Sequence, residues 1–336
     1  MEPVGGDVRG SAAEGTMRAV VQHEYGSADT WRVARIGKPA VSDRQVLVRV
    51  HAAGLDRGTW HVMTGTPYLI RLVLGVRGPR NPVPGRDVAG TVVEVGSKVT
   101  RFAPGDEVYG VADGSFAEYA AAREDKLAGK PPNLTFEQAA VVPVSGLTAL
   151  QALVDIGRVR SGQRVLVIGA SGGVGSYAVQ LAKALGAEVT GVSSHGKLHL
   201  IQFLGADRVI DYAGEDFADG ARRYDLILDI GGNPSLSRLR AALTPTGTVV
   251  IVGGEGGSRW LGGLSRPIRA RLLSPFIRQR LTNFVARERG LERLTEYLEA
   301  GTVTPCLDSA YRLDDAAEAM RKLAAGQVRG KLAITV

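Results

Sequence analysis

Residues 51–61 (HAAGLDRGTWH) bring together several side chains that could do chemistry. His51 and His61 flank Asp56 and Thr59 within this short stretch. Imidazole and carboxylate groups bind metal ions and also carry protons. The same residues are equally compatible with the ordinary end of a strand. The residue types alone therefore leave three interpretations open: a metal site, a proton relay or a structural transition.

A second stretch with chemical potential is the glycine-rich segment 169–175 (GASGGVG). It follows an apolar strand-like run and precedes an amphipathic helical run, and its glycines recur as Gly169, Gly172 and Gly175. A tight turn without Cβ atoms lets backbone N–H groups approach a pyrophosphate, which then lies at the positive end of the helix. Ser171 adds a hydroxyl donor. Strand, glycine turn and helix in this order predict a dinucleotide site, with a ligand-free connector as the alternative.

The end of the next strand predicts which dinucleotide binds. A site specific for NAD places an acidic residue there, about twenty residues after the glycines, to hold the ribose hydroxyls. Here the strand ends with Ser193, Ser194, His195 and Lys197, without an acid. Serine hydroxyls and an ammonium group can bind the 2′-phosphate of NADP, which a carboxylate would repel. The sequence therefore predicts a preference for NADPH; for Lys197 alone, a solvated lysine at a helix start is the alternative.

The predicted secondary structure that must position these groups changes along the chain. The first part consists of β-branched or alternating runs separated by turns rich in glycine, proline and aspartate. A helical stretch at 135–157 follows, and then strands alternate with helices, which implies a parallel sheet. The chain closes with two helical runs and a strand at 331–336. This order predicts a discontinuous first domain that the C-terminal residues return to complete.

Composition excludes several classes of protein. The 336 residues are 44% hydrophobic and 22% charged, as in ordinary globular proteins with room for two domains. The single cysteine, Cys306, excludes internal disulfides and metal sites with two thiolates, and it fits a reducing cytoplasm. We see no signal peptide and no run long enough to span a membrane.

The formal net charge of +7 is partly concentrated in segment 259–280, which holds six arginines and no acidic residue. We expect a solvated, helical, arginine-rich surface there. Nucleic-acid binding is not expected, because neither interleaved aromatic residues nor an RNA-binding motif accompanies the charge.

Eight segments together resemble the zinc-independent branch of the medium-chain dehydrogenase/reductases, the quinone oxidoreductase and enone reductase group. They are AAGLDRGTW (52–60), VPGRDVAGTVVEVG (83–96), PGDEVYG (104–110), SFAEYA (115–120), PVSGLTA (143–149), GASGGVG (169–175), LGADRVIDY (204–212) and GKLAITV (330–336). Segments 61–72 and 228–236 look most like bacterial relatives of the reticulon-interacting mitochondrial oxidoreductases. The resemblance covers residues 17–336 in the family's order.

The resemblance implies an α/β fold with a GroES-like β-rich catalytic domain and a Rossmann domain built on a doubly wound parallel sheet. The active site would lie in the cleft between them. We expect a flexible tail at 1–16, the catalytic domain at 17–145 and 281–336, and the Rossmann NADP-binding domain at 146–280.

The resemblance also implies roles for particular residues in cofactor binding. The residues expected to hold the pyrophosphate are Ser171, Gly172, Gly173, Val174 and Gly175. Lys197 and Tyr212 match the lysine and tyrosine with which quinone oxidoreductases grip the 2′-phosphate, beside Ser193 and Ser194. The residues expected near the nicotinamide and the riboses, or in the returning strand beside the cofactor, are Ser145, Thr148, Gly231, Gly253 and Lys331.

The zinc-dependent relatives differ where a metal ligand is needed. They have a cysteine at the position of Asp56 and a His-Glu pair at Arg86 and Asp87, and they carry a four-cysteine lobe that this chain lacks. A catalytic zinc needs three suitable donor side chains, and arginine is not one. Neither His51 nor His61 falls at a ligand position. We therefore expect no metal.

The chemistry expected without a Lewis acid is reduction of a conjugated acceptor, because a simple alkoxide needs stronger stabilisation. We expect hydride transfer from NADPH to a small hydrophobic quinone or α,β-unsaturated carbonyl. The catalytic candidates are Asp56, near the nicotinamide, Thr59, in the cleft lining, and Tyr68, as a proton donor or as a packed aromatic. Two alternatives stay open: an NADPH-binding sensor or interaction protein with little turnover, and an alcohol dehydrogenase acting on simple alcohols or aldehydes. The family's common form predicts a homodimer.

Overall fold

The computed structural model describes residues 15–253, 260, 262, 266, 269–270 and 277–336. The strands are β1 (Thr16–Val21), β2 (Arg32–Gly37), β3 (Gln45–Leu55), β4 (Asp87–Val95), β5 (Glu107–Val111), β6 (Tyr119–Arg123), β7 (Leu127–Gly129), β8 (Arg164–Ile168), β9 (Glu188–Ser193), β10 (Arg208–Asp211), β11 (Tyr224–Asp229), β12 (Leu243–Ile251), β13 (Arg280–Asn283), β14 (Leu307–Arg312) and β15 (Lys331–Thr335). The α-helices are α1 (Arg57–Thr64), α2 (Arg71–Leu74), α3 (Phe136–Ala140), α4 (Pro143–Gln151), α5 (Gly173–Ala184), α6 (Leu198–Phe203), α7 (Leu236–Ala242), α8 (Leu291–Glu299) and α9 (Ala316–Ala324). None of the helices in these ranges is both long and apolar enough to cross a bilayer.

The β-rich part of the chain forms a seven-stranded sheet in the order β14-β15-β3-β4-β5-β7, with β6 also paired to β3. Strand β3 is its centre, because most of its side chains are buried and it pairs with three neighbours. The closing strand β15 runs antiparallel to β3, with Leu332 opposite Leu55. The last residues of the chain therefore complete a sheet that begins with β3, while β1 and β2 pair with each other in a separate two-stranded sheet.

The second large sheet has six parallel strands in the order β10-β9-β8-β11-β12-β13. This is the spatial order 3-2-1-4-5-6 of a doubly wound dinucleotide-binding sheet, whose ligands bind where the strand order reverses, between its first and fourth strands. Those strands are β8 and β11 here. Their near-continuous apolar sequences fit a sheet that is covered by helices on both faces. The expected fold class is thus observed.

Strand β13 belongs to this parallel sheet, since all four of its residues pair with Thr248–Ile251 of β12. The proposed domain boundary between residues 280 and 281 cuts through that strand. The hydrogen-bond ladder with β12 instead holds residues up to Asn283 with the Rossmann sheet. We therefore propose a boundary after Asn283.

One apolar core joins the two sheets. It includes Ala52, Ala89 and Tyr109 from the β-rich sheet, and it continues through α4 and α5 to the parallel strands. Tyr177 of α5 is fully buried in this core, and its hydroxyl donates to the carbonyl of Val141, just before α4. The two sheets are therefore held together by continuous apolar packing.

Two sequence predictions fall largely outside the described residues. Of the expected tail, residues 1–14 are not described, and Thr16 already begins strand β1. In the arginine-rich segment, Arg259 and Arg271 are not described, so the expected helical surface is not tested there.

Candidate active site and cofactor cleft

The glycine turn follows β8 and ends where α5 begins, as the sequence predicts. A Cβ at Gly175 would lie 2.1 Å from the carbonyl oxygen of Gly169, and a Cβ at Gly173 would lie 2.7 Å from Cδ of Lys331. Backbone blocks a side chain at Gly175, whereas at Gly173 the Lys331 side chain would have to move. Gly172 is the N-cap of α5, so the first N–H groups of this twelve-residue helix need partners from outside it. The turn has the form of an anion site at a helix N-terminus.

Two other parts of the chain close over this turn. From α4, the hydroxyl oxygen of Ser145 lies 3.1 Å from the position of a Cβ at Gly173. From the C-terminal segment, the amide of Gly330 donates to the carbonyl of Ser171 at 2.8 Å. Thr148, one helical turn after Ser145, is buried, and its hydroxyl donates to the carbonyl of Val144. The residues predicted for the pyrophosphate and nicotinamide ends therefore converge on one short region.

The strand-end serines meet the glycine turn at its other side. The hydroxyl oxygens of Ser171 and Ser193 are 2.6 Å apart, and the amide of Tyr212 donates to the carbonyl of Ser193. The side chain of Tyr212 is exposed. Ser194 caps the short 3-10 turn His195–Lys197 without a side-chain hydrogen bond. The residues predicted to bind the 2′-phosphate therefore lie beside the glycine turn.

Lys197 already has partners from the distant C-terminal segment. Its ammonium donates to the carbonyls of Gly326 at 2.7 Å and Val328 at 2.8 Å, which leaves one of its three N–H groups free of these two bonds. Burial, followed by the nearby Arg329, lowers the pKa of Lys197. The guanidinium of Arg329 is exposed and donates to the carbonyl of Gly196. Arg329 is therefore a second cation at this end of the cleft, which sequence reasoning did not single out.

The two predicted ribose-facing glycines lie at the ends of β11 and β12. A Cβ at Gly169 would lie 2.7 Å from the backbone nitrogen of Gly231, so the turns after β8 and β11 are in contact. A Cβ at Gly253 would lie 2.5 Å from the carbonyl oxygen of Ile230. The crevice at the strand-order reversal is thus lined by backbone on both sides.

A buried ion pair supports the same crevice. Asp229, the last residue of β11, is fully buried and pairs with Arg266, whose guanidinium also donates to the carbonyl of Gly232. Burial raises the pKa of Asp229 to about 6, and the positive charge of Arg266 opposes that rise. The sequence signal was an acid at the end of an otherwise apolar strand, but its partner could not be read from spacing.

At the catalytic end, Asp56 is the N-cap of α1. Its Oδ1 accepts from the amide of Thr59 at 2.8 Å and from the Thr59 hydroxyl at 3.1 Å. Both side chains are buried. The two bonds fix the carboxylate, and its other oxygen lies 3.9 Å from Nζ of Lys331. The predicted catalytic residues Asp56 and Thr59 are therefore hydrogen-bonded to each other, and Asp56 lies close to Lys331, a predicted cofactor residue.

Lys331 connects Asp56 to a third buried group, Asp87. Its ammonium lies 3.1 Å from Oδ2 of Asp87, whose Oδ1 accepts from the amide of Val144 at 2.9 Å. Asp87 is fully buried and Lys331 is 2% exposed. Burial raises the pKa of Asp87 to about 6, with Lys331 lowering it and Asp56 raising it. Sequence reasoning used Asp87 only to argue against zinc and did not foresee this pair.

The two histidines of segment 51–61 lie away from Asp56. His51 lies within β3, where its Nε2 is 3.0 Å from the Thr91 hydroxyl and its ring stacks on Phe136. Burial lowers the pKa of His51. His61 lies in α1, with Nδ1 at 2.7 Å from the carbonyl of Thr66. The segment is therefore the end of a strand followed by a capped helix.

Tyr68 follows α1, in the 3-10 turn Tyr68–Ile70, and is half-buried. Its ring packs edge-on against Trp260, with centroids 5.5 Å apart. The guanidinium of Arg71 lies 4.5 Å from the Tyr68 centroid and also 4.5 Å from that of Tyr25. Within the described residues the Tyr68 hydroxyl makes no hydrogen bond, so it keeps its proton available while the ring is held in place.

Comparisons with known proteins agree with this architecture. Family models match at residues 42–132 (alcohol dehydrogenase GroES-like domain) and 204–334 (zinc-binding dehydrogenase). The chain is 34% identical to a 2-methylene-furan-3-one reductase of Solanum lycopersicum, over 95% of this chain and 79% of the relative. It is 30% identical to the mitochondrial NAD(P)H oxidoreductase RTN4IP1 of Mus musculus, over 97% and 91%. The solved quinone oxidoreductase of Coxiella burnetii superposes with a TM-score of 0.83 at 27% identity, over 96% and 99%.

A GroES-like sheet joined to a dinucleotide-binding sheet defines a class of two-domain oxidoreductases. The chain belongs to the medium-chain dehydrogenase/reductase family, in the group of quinone oxidoreductases and enone reductases. The family expected from the sequence motifs is confirmed.

Proposed function

We propose that this protein transfers hydride from NADPH to a quinone or an α,β-unsaturated carbonyl without a metal. The observation that carries the proposal is the buried ammonium of Lys331 between the carboxylates of Asp56 and Asp87. In zinc-dependent relatives, the positions of Asp56 and Asp87 supply or adjoin the ligand set. A cation already placed there would repel a second cation, and the two carboxylates fall short of the three donors that catalytic zinc needs.

The other donors near this position do not complete a metal site. The guanidinium of Arg86 pairs with Glu288. Among the residues that the structure describes, no group of three or more His, Cys, Asp or Glu side chains could hold a metal ion. The names of similar proteins fit a reduction of conjugated acceptors, since one is a 2-methylene-furan-3-one reductase and another a quinone oxidoreductase.

NADPH, when bound, supplies the hydride. This chain's own residues then position the reactants and exclude water, which are the effects that such a reaction needs most. Hydride addition to the β-carbon of an enone leaves an enolate whose charge is delocalised. The Tyr68 hydroxyl is the proposed donor to that oxygen, and Asp56 is proposed to orient the nicotinamide end through Lys331 and Thr59.

The preference for NADPH rests on Lys197 and Arg329, two cations beside a strand end that carries no acid. Alanine at either position should weaken NADPH binding about ten- to a hundredfold, the value of one charge-assisted hydrogen bond, and leave NADH binding nearly unchanged. Lys183 is the matched control, because its ammonium pairs with Asp207 instead. Titration of cofactor fluorescence measures both affinities. Equal losses for NADPH and NADH would refute this assignment.

The substrate class is tested by following NADPH oxidation with quinones, enones, aldehydes and simple alcohols, with and without a chelator. Turnover of quinones or enones that survives the chelator is expected. Activity confined to aldehydes or alcohols and abolished by the chelator would favour a metal-dependent alcohol dehydrogenase. Binding of NADPH without its consumption would favour a sensor or interaction protein.

The Tyr68 assignment has its own test. Phenylalanine at this position keeps the contacts with Trp260 and Arg71 but removes the hydroxyl. We expect a lower kcat with an enone and an unchanged KM for NADPH. Unchanged enone turnover would leave Tyr68 as a packed aromatic.

We also propose that the protein works as a homodimer in the cytoplasm. The single cysteine, Cys306, fits a reducing compartment. Burial and then the nearby Asp308 raise the pKa of its thiol, which lowers its reactivity. Light scattering at several concentrations measures the mass, and a monomer throughout would refute the dimer.

A further inference from the structure

A stripe of exposed apolar side chains follows the Tyr68 turn. Its members are Leu69 in the turn Tyr68–Ile70, Leu72 and Val73 in the helix Arg71–Leu74, and Val76 just after the helix. Their exposed fractions are 45% for Leu69, 66% for Leu72, 71% for Val73 and 72% for Val76. Four large apolar side chains exposed within eight residues form a patch of a kind that a globular protein normally buries. We call these four residues the 69–76 stripe.

The surroundings of this stripe are basic. Between Asp56 and Asp87 the chain has five arginines and no acidic residue. Arg77 and Arg80 lie just after the stripe, both exposed, and neither forms an ion pair within the described residues. An apolar centre beside uncompensated arginines is therefore presented to the outside of the molecule.

The neighbouring segment extends the same chemistry. The amide of Leu69 donates to the carbonyl of Trp260, whose side chain is 71% exposed. Trp260 lies in the arginine-rich segment 259–280, in which Arg266 already pairs with Asp229. A large aromatic beside leucine and valine, close to arginines, is the composition of surfaces that rest in the interface of a lipid bilayer.

We propose that the 69–76 stripe, with Arg77 and Arg80, docks this protein on an anionic lipid bilayer. The apolar side chains would enter the boundary between head groups and acyl chains, while the guanidinium groups would pair with lipid phosphates. A second copy of the chain is disfavoured as the occupant, because its segment 57–86, which has five arginines and no acidic residue, would face the same segment here. The proposal does not depend on the proposed substrate, since docking needs neither NADPH nor an acceptor.

The docking surface adjoins the candidate site directly. Tyr68 precedes Leu69, and its ring touches Trp260 and Arg71. A lipophilic acceptor dissolved in the bilayer would therefore meet the cleft at its own edge. A place beside the candidate site would explain why these apolar side chains are grouped and exposed, whereas single exposed apolar residues are common and need no explanation.

The test is co-sedimentation of the full chain with vesicles of phosphatidylcholine alone or containing phosphatidylglycerol. Binding to the anionic vesicles only is expected. The double variant Arg77→Gln/Arg80→Gln should lose about fivefold in affinity for each arginine removed. Leu72→Asp/Val73→Asp should abolish binding. Phe203→Asp is the matched control, because Phe203 is 80% exposed on α6, away from the stripe, and it should bind as the wild type does.

Circular dichroism and the thermal midpoint establish that each variant is folded. Absence of wild-type binding to anionic vesicles would overturn the proposal. It would also be overturned if Leu72→Asp/Val73→Asp bound as tightly as Phe203→Asp, or if that double variant turned a wild-type dimer into a monomer. The last result would assign the stripe to contact between two copies.

Discussion

The buried pair of Lys331 and Asp87 leads to a prediction with a pH signature. Replacing Lys331 by methionine keeps the length of the side chain and removes its charge, leaving the Asp87 carboxyl with the Val144 amide as its hydrogen-bond donor. At the 3.1 Å separation, the attraction lost is about 5 kcal/mol for an effective dielectric constant of about 20. The carboxyl does not bear this whole cost, because it can take up a proton instead.

Protonation of Asp87 determines how much Lys331→Met lowers the free energy of unfolding at each pH. With Lys331 present, the pKa of Asp87 is about 6, already above its ordinary value of 3.8 because of burial. Without Lys331 that pKa rises further, so native Asp87 stays protonated at neutral pH while the unfolded chain is ionised. The native state then binds one more proton than the unfolded state, and its stability falls as pH rises.

Wild-type Asp87 stops contributing to this slope above pH 6, since it is ionised in both states. The destabilisation by Lys331→Met is therefore expected to be small at pH 6, about 1.4 kcal/mol at pH 7 and about 2.7 kcal/mol at pH 8. Urea unfolding at these three pH values measures it from the midpoint and slope.

Two controls make the prediction specific. Lys98 forms an exposed pair with Asp43, and Lys98→Met should leave the free energy of unfolding nearly unchanged at every pH. The double variant Asp87→Asn/Lys331→Met has no buried charge at either position, so it should recover most of the stability at pH 8. A Lys331→Met deficit that does not grow with pH would refute the reasoning, as would a double variant no more stable at pH 8 than Lys331→Met.

Three further predictions concern the turn, the helix cap and the acids. Gly175→Ala should abolish NADPH binding by fluorescence titration while the protein stays folded, because its Cβ would lie 2.1 Å from the Gly169 carbonyl oxygen. Asp56→Ala should lower the free energy of unfolding by about 1 kcal/mol through loss of the α1 cap, whereas Asp56→Asn keeps the cap; unchanged turnover in Asp56→Asn would limit this residue to a structural role. The contribution of Asp87 and Asp229 to the free energy of unfolding should fall as pH rises from about 4 to 6, because their raised pKa values keep protons on the native state that the unfolded chain has lost. Asp229→Asn should make this fall smaller, which thermal unfolding at a series of pH values measures.

The cofactor turn could be predicted from the sequence because its physics is local. Gly169, Gly172 and Gly175 stand between an apolar strand and an amphipathic helix, and at Gly169 and Gly175 the backbone packs so closely that a side chain would not fit. The same holds for the alternation that predicted the parallel sheet. Periodicity and glycine placement are properties of a few neighbouring residues, and they survive folding unchanged.

The contacts that complete the site could not be predicted, because they join residues far apart in the chain. Lys331 and Asp87 are 244 residues apart, and Lys197 reaches a carbonyl 129 residues away. Arg329 gave no signal beyond standing next to a family motif. His51 and His61 show that closeness in sequence does not imply closeness in the fold. One lies in a strand and the other in a helix, and they contact separate partners.

One side chain links the fold of this protein to its proposed chemistry. Lys331 is the first residue of the closing strand β15. Its Cδ would lie 2.7 Å from a Cβ at Gly173, and its ammonium faces Asp56 and Asp87. The return of the C-terminal residues to the first sheet therefore does more than bury apolar surface. It places a cation at the junction of the cofactor turn, the α1 cap and a fully buried carboxylate. A chain that closed in this way with a neutral residue at 331 would leave the carboxyl groups of Asp56 and Asp87 without this counter-charge, and Asp87 would stay protonated to a higher pH. We propose that the buried ammonium, by opposing a second cation, keeps the site suited to acceptors that need no Lewis acid.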